Sequence, residues 1–418
     1  MKTMAEKPTY NVIVKGHDWG PGMSKIVLNV ASTMTDIEDK SFEVKATKEY
    51  TTFDFETKTA STGVGTKEIK VHSIYLSDAM GNKVDEASQY ITLELEVHPD
   101  NVFTNPYNYD FVSGLNEEVD IDYTITQIQT LLTADGEEIK NLVFSKINQE
   151  RVMKPEVEKF SKGAHEYTDK VHGDLNIPYT YYTPENSESN RPLIILLHGA
   201  GEGGVNPEIP LYGNKGVALA SDSIQQYFDG AYVLAPQAKT MWMDDGTGNY
   251  TKDGQSKYTN AVLDLIESFI YSHDIDQSKV YIGGGSNGGY MTVNLLLKKP
   301  ELFSAGFPIC QAYASDWISD NELESLKGMP LWFIHAVTDP VVLFDKTTEP
   351  LIERIKKISS ADIRLTTYDK VVDQSGLYKD KSGNPYSYHD HWSWIHLFND
   401  QVTQDGESLF EWLNTHMK

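Results

Sequence analysis

The chain has 418 residues, of which 36 are Lys or Arg and 61 are Asp or Glu, so its formal net charge at pH 7 is −25. This excess of acidic residues argues against nucleic acid and anionic membranes as partners, since both need basic patches. No segment approaches the roughly 18 consecutive apolar residues of a membrane-spanning helix. Hydrophobic residues make up 39% of the chain, enough to build cores, and the length predicts two domains.

Residues 1–155 are predicted to form a β-sandwich. Short segments in which apolar and polar residues alternate, such as residues 90–97 (YITLELEV), are separated by turns. This period-two alternation is typical of strands with one buried face. His17, Asp18 and Trp19 precede Gly-Pro-Gly and are predicted to form a turn with a packed tryptophan.

Residues 156–418 follow a different pattern, in which apolar strands alternate with helical segments. Residues 258–270 and 290–299 have the apolar spacing of helices. Strands that alternate with helices predict an α/β domain with a parallel sheet. Cys310, the single cysteine, lies in an apolar strand and is predicted to be a buried hydrophobic residue.

The sequence leaves the compartment open. Residues 1–7 lack the apolar region of a signal peptide. The expectation is therefore either a cytoplasmic protein or a secreted protein from which the signal has been removed. A single cysteine cannot form an internal disulfide, so it does not decide between the two.

The strongest motif of the chain surrounds Ser286. Residues 280–291 read VYIGGGSNGGYM, an apolar strand that turns on glycines and enters a helix. Gly284 and Gly288 flank the serine as G-x-S-x-G, the nucleophile elbow that holds a hydroxyl out at the edge of a sheet. A hydroxyl presented in this way can attack a carbonyl carbon, so Ser286 is the predicted nucleophile.

The same glycines also fit a dinucleotide-binding turn. Gly283, Gly285 and Gly288 spell G-x-G-x-x-G. Such a turn requires an acidic residue about 20 positions further on to bind the ribose. Residues 306–310 occupy that zone, read GFPIC and contain no carboxylate, which favours the nucleophile over the nucleotide site.

An acid and then a histidine are expected after the serine, because hydrolases built around this elbow carry their triad in that order. The apolar strand 330–336 runs into a turn that carries Asp339, the predicted acid, with Asp316 as the alternative. A neutral imidazole accepts the serine proton when a carboxylate holds its other nitrogen. His391 is the predicted base and His389 is the alternative.

The oxyanion hole is predicted where the apolar strand 192–197 (PLIILL) runs into residues 198–204 (HGAGEGG). Two backbone N–H groups must converge on the developing alkoxide, and the amides of Ala200 and Asn287 are the predicted donors. Taken alone, the glycine-rich segment also fits an ordinary strand-to-helix turn. Sheets of this kind bind ligands beyond their strand ends, where the predicted substrate-lining residues are Trp242, Gln311 and Trp394.

The histidines near the C-terminus also allow a metal interpretation. His389 and His391 alternate along one segment, and His396 lies nearby. Zinc sites need three or four ligands in a defined geometry, held by supporting hydrogen bonds. No second cluster of ligands completes such a site, so neither a metal nor a cofactor is predicted.

Four motifs of the C-terminal part stand out together: LHGAGE (197–202), APQ (235–237), GGSNGG (284–289) and IHAVTD (334–339). They resemble the bacterial esterase branch of the α/β-hydrolases, similar to polyhydroxybutyrate depolymerase-like and feruloyl esterase-like enzymes that are often labelled prolyl oligopeptidase-like. Residues 16–22 (GHDWGPG) and 391–394 (HWSW) resemble members that carry an immunoglobulin-like N-terminal module. In the family pattern G-H-x-S-W, His391 corresponds to the histidine, whereas Asp390 stands in place of the glycine.

The resemblance implies an α/β-hydrolase fold catalytic domain preceded by an all-β immunoglobulin-like sandwich. It also implies a serine carboxylesterase that hydrolyses short acyl or aryl, feruloyl-type esters through a Ser-His-Asp triad and an acyl-enzyme. The alternatives are a serine peptidase of the prolyl oligopeptidase type, a polyester or polysaccharide-ester depolymerase, and a binding sandwich with an inactive hydrolase. The expected partner is a small-molecule or polymer-linked ester, and the oligomeric state stays open.

Overall fold

The structure is a computed structural model that describes residues 7–54, 57, 59–185 and 190–418. The chain divides into two units, Met1–Glu158 and Lys159–Lys418. The sequence places its predicted domain boundary between residues 155 and 156, and the structural division falls after Glu158.

The described part of the N-terminal unit is built from strands joined by turns. In chain order the strands are β1 (Thr9–His17), β2 (Gly20–Met34), β3 (Phe42–Asp54), β4 (Thr59–Ile69), β5 (Val71–Ser77), β6 (Ser88–Leu95), β7 (Tyr107–Asp110), β8 (Leu115–Glu118), β9 (Ile121–Gln127), β10 (Leu131–Leu132), β11 (Glu138–Ile139), β12 (Val143–Phe144) and β13 (Gln149–Met153).

Two sheets form the body of this unit. Their strand orders are β13-β1-β2-β6-β5 and β12-β9-β3-β4. Alternate residues are buried along β9, where Ile121, Tyr123 and Ile125 face inward, because successive side chains of a strand point to opposite faces. Tyr10 of one sheet packs edge to face on Phe144 of the other with ring centroids 6.4 Å apart. Residues 1–155 thus contain the sandwich that the alternation predicts.

The C-terminal unit combines strands and helices. Its strands are β14 (Phe160–Asp169), β15 (Gly173–Tyr182), β16 (Arg191–Leu197), β17 (Tyr232–Pro236), β18 (Ile275–Gly285), β19 (Ala305–Ile309), β20 (Leu331–Ala336), β21 (Ile363–Tyr368), β22 (Thr403–Gln404) and β23 (Glu407–Ser408). Its α-helices are α1 (Ile209–Gly213), α2 (Asp222–Gln225), α3 (Thr259–Ser272), α4 (Asn287–Lys298), α5 (Asp320–Leu323), α6 (Thr348–Ile358), α7 (Trp394–Phe398) and α8 (Leu409–Thr415).

One eight-stranded sheet with the order β14-β15-β17-β16-β18-β19-β20-β21 runs through this unit. The pairs from β17 to β21 are parallel, and β15 is antiparallel to both of its neighbours. The chain leaves β16 for β17 on one side and then continues with β18 on the other side of β16. This reversal of strand order creates a crevice at the carboxyl ends, where sheets of this kind bind ligands.

The parallel strands β16, β17, β19 and β20 are buried at every position, as expected for strands covered on both faces. Val280 and Ile282 of β18 belong to the core that also contains residues of α3 and α4. Tyr281, between them, points to the other face, where its ring packs on Phe228 and its hydroxyl donates to the carbonyl of His416. Within the described ranges, no helix has the length and hydrophobicity of a transmembrane span.

Candidate active site

Ser286 lies at the sharp turn between β18 and α4. Its backbone adopts φ 57° and ψ −113°, a conformation that L-residues rarely take. The amide of Ser286 donates to the carbonyl of Ile309 in the neighbouring strand over 2.9 Å, which anchors the turn to the sheet. A strained turn that is held by its surroundings is typical of a functional position.

The glycines on either side of the serine are required by a close backbone approach. A Cβ atom at Gly284 would lie 2.2 Å from the carbonyl oxygen of Leu197, and one at Gly288 would lie 2.0 Å from the same atom. At Gly283 and Gly285, a Cβ would collide with the side chains of Phe307 and Trp394. Packing therefore accounts for all the glycines of the dinucleotide pattern as well.

Gly288→Ala is expected to lower the free energy of unfolding by about 3 kcal/mol, the upper part of the usual cost of overpacking, because the new methyl group meets a backbone oxygen that cannot rotate away. Urea unfolding of the purified variant measures this loss. Gly63→Ala is the matched control, since its Cβ would make an ordinary 3.6 Å contact with Tyr50. Equal unfolding midpoints for Gly288→Ala and the wild type would contradict the prediction.

Three side chains from distant parts of the chain form a hydrogen-bonded relay. Nε2 of His391 lies 2.9 Å from Oγ of Ser286, and Nδ1 of His391 lies 2.7 Å from Oδ2 of Asp339. Ser286 and His391 are 8% exposed and Asp339 is 3% exposed. The relay is therefore nearly shielded from water, and Ser286 and His391 keep a small exposed surface. Because Nδ1 faces a carboxylate, the ring proton sits there and Nε2 is free to accept the serine proton.

Asp339 is held as a carboxylate by donors on both of its oxygens. Oδ1 accepts from the amides of Val341 and Val342 at 2.8 and 3.0 Å, and Oδ2 accepts from His391 and His335. Burial raises the pKa of Asp339, but the hydrogen bonds from the two histidines and the charge of His391 outweigh it and hold the pKa well below its usual range. The carboxylate is therefore ionised at neutral pH.

His335 is a site residue that the sequence reasoning did not single out. It is the second-last residue of β20 and is fully buried. Its Nε2 atom lies 3.2 Å from Oδ2 of Asp339 and 3.0 Å from the carbonyl of Val342, both acceptors, so Nε2 carries the proton. Nδ1 contacts the hydroxyl of Thr348 at 2.9 Å. A histidine inside an otherwise apolar strand is the one sequence signal that marks this position.

The alternative residues for acid and base lie elsewhere. Asp316 is exposed in a short turn after β19. His389 is exposed, and its Nδ1 atom accepts from the amide of His391 at 3.2 Å. His396 is buried and stacks on Tyr368 with ring centroids 4.0 Å apart. Of the candidate acids and bases, the structure brings Asp339 and His391 to the serine.

His198 fixes the loop that carries Ala200. Its Nε2 atom accepts from the amide of Ala238 at 3.0 Å, so the ring proton is on Nδ1, which donates to the carbonyl of Gly199 at 2.6 Å. Burial lowers the pKa of His198 to about 4, against a smaller raising effect of the bond to Gly199, and the ring is neutral at pH 7. Since C=O and N–H of a trans peptide point in opposite directions, the Ala200 amide points away from His198.

Asn287 is the first residue of α4, so its amide is one of the N–H groups without a partner inside the helix. Its side-chain oxygen accepts from the amide of Trp242 at 2.6 Å, and the Trp242 indole donates to the carbonyl of His198 at 3.0 Å. Trp242 is fully buried. It therefore ties the loop after β17 to both predicted oxyanion segments.

Gln311 and Trp394 pack against the elbow. Gln311 follows β19, is fully buried, and accepts from the amide of Tyr313 through its side-chain oxygen. The Trp394 ring lies 5.4 Å from the His391 ring between centroids and next to Gly285. Among the described residues, the side-chain N–H groups of Asn287, Gln311 and Trp394 find no hydrogen-bond partner.

In the described part of the chain, His389 and His396 belong to no group of three metal-ligating side chains whose ligand atoms lie close together. There, the one trio of His, Cys, Asp or Glu side chains whose ligand atoms lie within 4.8 Å is Cys310, Asp339 and His391. Cys310 is buried beneath the relay, and burial raises the pKa of its thiol. It is the buried residue that the sequence predicts.

The fold and this arrangement define an α/β-hydrolase preceded by an immunoglobulin-like module. Residues 9–140 match the family model described as esterase Ig-like N-terminal domain. Residues 238–335 match the model described as prolyl oligopeptidase family, a range that includes Ser286 and ends before Asp339 and His391. These matches confirm the predicted fold class.

Comparison with known proteins supports the same assignment. A solved structure described as a thermostable esterase superposes with a TM-score of 0.78 at 24% identity and covers 98% of this chain and 100% of its own. Acetylxylan esterase A of Aspergillus ficuum is 27% identical over 168 residues, which are 40% of this chain and 52% of the relative. Feruloyl esterase B of Thermothelomyces thermophilus is 28% identical over 141 residues, 34% of this chain and 46% of the relative. The chain spans about half the length of these curated relatives, and the predicted resemblance to the esterase branch is confirmed.

Proposed function

We propose that this protein is a serine carboxylesterase in which Ser286 is the nucleophile, His391 the general base and acid, and Asp339 the group that orients the imidazole. The single observation that carries the proposal is the relay of 2.9 and 2.7 Å contacts from the Ser286 hydroxyl through His391 to Asp339. The strained elbow holds that hydroxyl at the carboxyl end of the sheet, where a substrate can reach it.

The reaction begins when Oγ of Ser286 attacks the ester carbonyl carbon and its proton moves to Nε2 of His391. Asp339, already ionised, stabilises the imidazolium that forms. The imidazolium then gives its proton to the leaving alcohol, and the acyl group remains on the serine. Water attacks this acyl-enzyme with His391 again as base, which releases the acid and restores the hydroxyl.

The negative oxygen of each tetrahedral intermediate would be bound by the amides of Ala200 and Asn287. The helix start leaves the Asn287 amide without a partner inside α4, and His198 turns the Ala200 amide away from its own ring. Trp242 links the two segments, so we assign it a supporting role beneath the oxyanion hole in addition to the lining role that the sequence predicts.

The substrate class is proposed from the relatives that this chain resembles. Two of the matched relatives are named for acetylxylan and feruloyl esters. Acetyl and feruloyl esters, free or attached to a polysaccharide, are therefore the first substrates to test.

A substrate panel tests this proposal against the alternatives. The panel contains p-nitrophenyl acetate, butyrate and octanoate, methyl ferulate, acetylated xylan and a prolyl p-nitroanilide. We expect turnover of the acetyl or feruloyl esters and none of the anilide. Cleavage of the anilide alone would support the peptidase, and release of acetate mainly from the polymer would narrow the substrate to polysaccharide-linked esters. No turnover of any compound would contradict the proposed activity and favour an inactive hydrolase attached to a binding module.

A further inference from the structure

Asp390 bridges two other segments at the end of the catalytic sheet. Its Oδ1 atom accepts from the amide of Val371 at 3.1 Å, just beyond β21. Its Oδ2 atom lies 3.0 Å from the hydroxyl of Thr338. Thr338 directly precedes Asp339, and Asp390 directly precedes His391. The contact thus joins the residue next to the acid to the residue next to the base.

Backbone hydrogen bonds also join these segments. The amide of Val337 donates to the carbonyl of Tyr368, and the amide of Tyr388 donates to that of Val371, each over 2.9 Å. Counted along the chain, Val337 lies two residues from Asp339 and Tyr388 lies three from His391, whereas Asp390 is next to His391. The Thr338 hydroxyl also lies 2.6 Å from the carbonyl of Asp369, so its one proton is shared between two acceptors.

We propose that Asp390 is a positioning residue, a side-chain latch that holds the loop of His391 against the loop of Asp339 and thereby sets the contact between them. The inference rests on the proposed esterase function, because it assigns a role in that reaction. The latch does not touch the substrate. It acts by keeping Nε2 of His391 at hydrogen-bond distance from Ser286, and a displacement of about 1 Å at such a contact can cost about 100-fold in rate.

The chemistry of the bridge predicts which substitutions keep it. Asp390→Gly removes both contacts. In Asp390→Asn, the amide oxygen can accept from Val371 while the amide N–H donates to the Thr338 hydroxyl, which is then free to donate to Asp369. Asparagine therefore preserves the latch without its charge. Thr338→Val removes the other half of the bridge.

The kinetic test uses the ester that the wild type hydrolyses best. We expect Asp390→Gly to lower kcat about 10- to 100-fold with little change in KM, and Asp390→Asn to stay within about twofold of the wild type. Thr338→Val should also lower kcat, and the double variant should lose less than the two single losses combined, because both changes break the Thr338–Asp390 contact. Asp380→Gly is the matched control, since that carboxylate bonds to Ser382 and Asn384 within its own loop.

A turnover-independent readout separates the latch from the proposed function. The proton shared by His391 and Asp339 should give a far-downfield NMR resonance, assigned by its loss in His391→Ala. We expect this signal to weaken in Asp390→Gly and to persist in Asp390→Asn and in the control. If the wild type had no esterase activity but the NMR signals still followed this pattern, the proposed esterase function would be wrong and the proposed role of Asp390 would stand. The proposed role of Asp390 would be wrong if Asp390→Gly left both the signal and kcat unchanged. It would also be wrong if Asp390→Asn were as impaired as Asp390→Gly.

Discussion

Ser286→Ala is expected to reduce kcat/KM for ester hydrolysis by ~10⁴-fold or more, because the variant has no atom that can form the acyl bond. The residual rate would come from binding and from the oxyanion donors, which alanine leaves in place. The fold should survive, since alanine needs no more space than serine in a turn that is already closely packed. Initial rates with p-nitrophenyl acetate measure the loss.

Ser272→Ala is the matched control for the nucleophile. Its hydroxyl bonds to the carbonyls of Ser268 and Phe269 within its own helix, α3, and has no contact with the relay residues. We expect its kcat/KM to equal that of the wild type. A fluorophosphonate probe should add its mass to the peptide that contains Ser286 in the control and leave the Ser286→Ala variant unlabelled. Turnover that persists in Ser286→Ala at more than about a hundredth of the wild-type rate would rule out the acyl-enzyme mechanism.

The elements that could be predicted from the sequence are those whose signal is local. Alternation along residues 90–97 predicts a strand, and β6 (Ser88–Leu95) covers most of that range. The elbow can be recognised in the sequence because one neighbouring carbonyl leaves no room for a Cβ atom at Gly284 or at Gly288. Both constraints therefore fall within a five-residue motif. Fold class follows from such periods and motifs, since they depend on strand and turn geometry rather than on distant contacts.

The parts of the site that could not be predicted depend on contacts between distant segments. The sequence does not reveal that His335 reaches Asp339, because this requires the turn after β20 to fold back on its own strand. Nor can spacing decide between His389 and His391, since which ring faces the serine depends on the path from β21 to α7. Trp242, which is fully buried, shows the same limit. The sequence around an aromatic residue in a loop looks the same whether the residue lines a cleft or packs beneath it.

Asp339→Asn is expected to lower kcat by roughly 10³- to 10⁴-fold, because an amide cannot replace both carboxylate oxygens in this setting. Each oxygen faces two donors: Oδ1 faces the amides of Val341 and Val342, and Oδ2 faces the rings of His335 and His391. If the NH₂ group takes the place of Oδ2, His391 must turn its proton to Nε2 and can no longer accept one from the serine. If it takes the place of Oδ1, two backbone N–H groups lose their acceptor, which destabilises the turn.

The two orientations of the side-chain amide in Asp339→Asn predict different losses, and they can be told apart. The first lowers kcat with a nearly unchanged unfolding midpoint and removes the far-downfield His391 resonance. The second keeps that resonance and lowers the free energy of unfolding by about 1–3 kcal/mol. We expect the first, because the protons of the His335 and His391 rings can each move to the other ring nitrogen, whereas the two backbone donors are fixed. Asp316→Asn, which changes the alternative acid, should leave both kcat and stability unchanged. If Asp316→Asn lost activity and Asp339→Asn kept it, the assignment of the acid would be wrong.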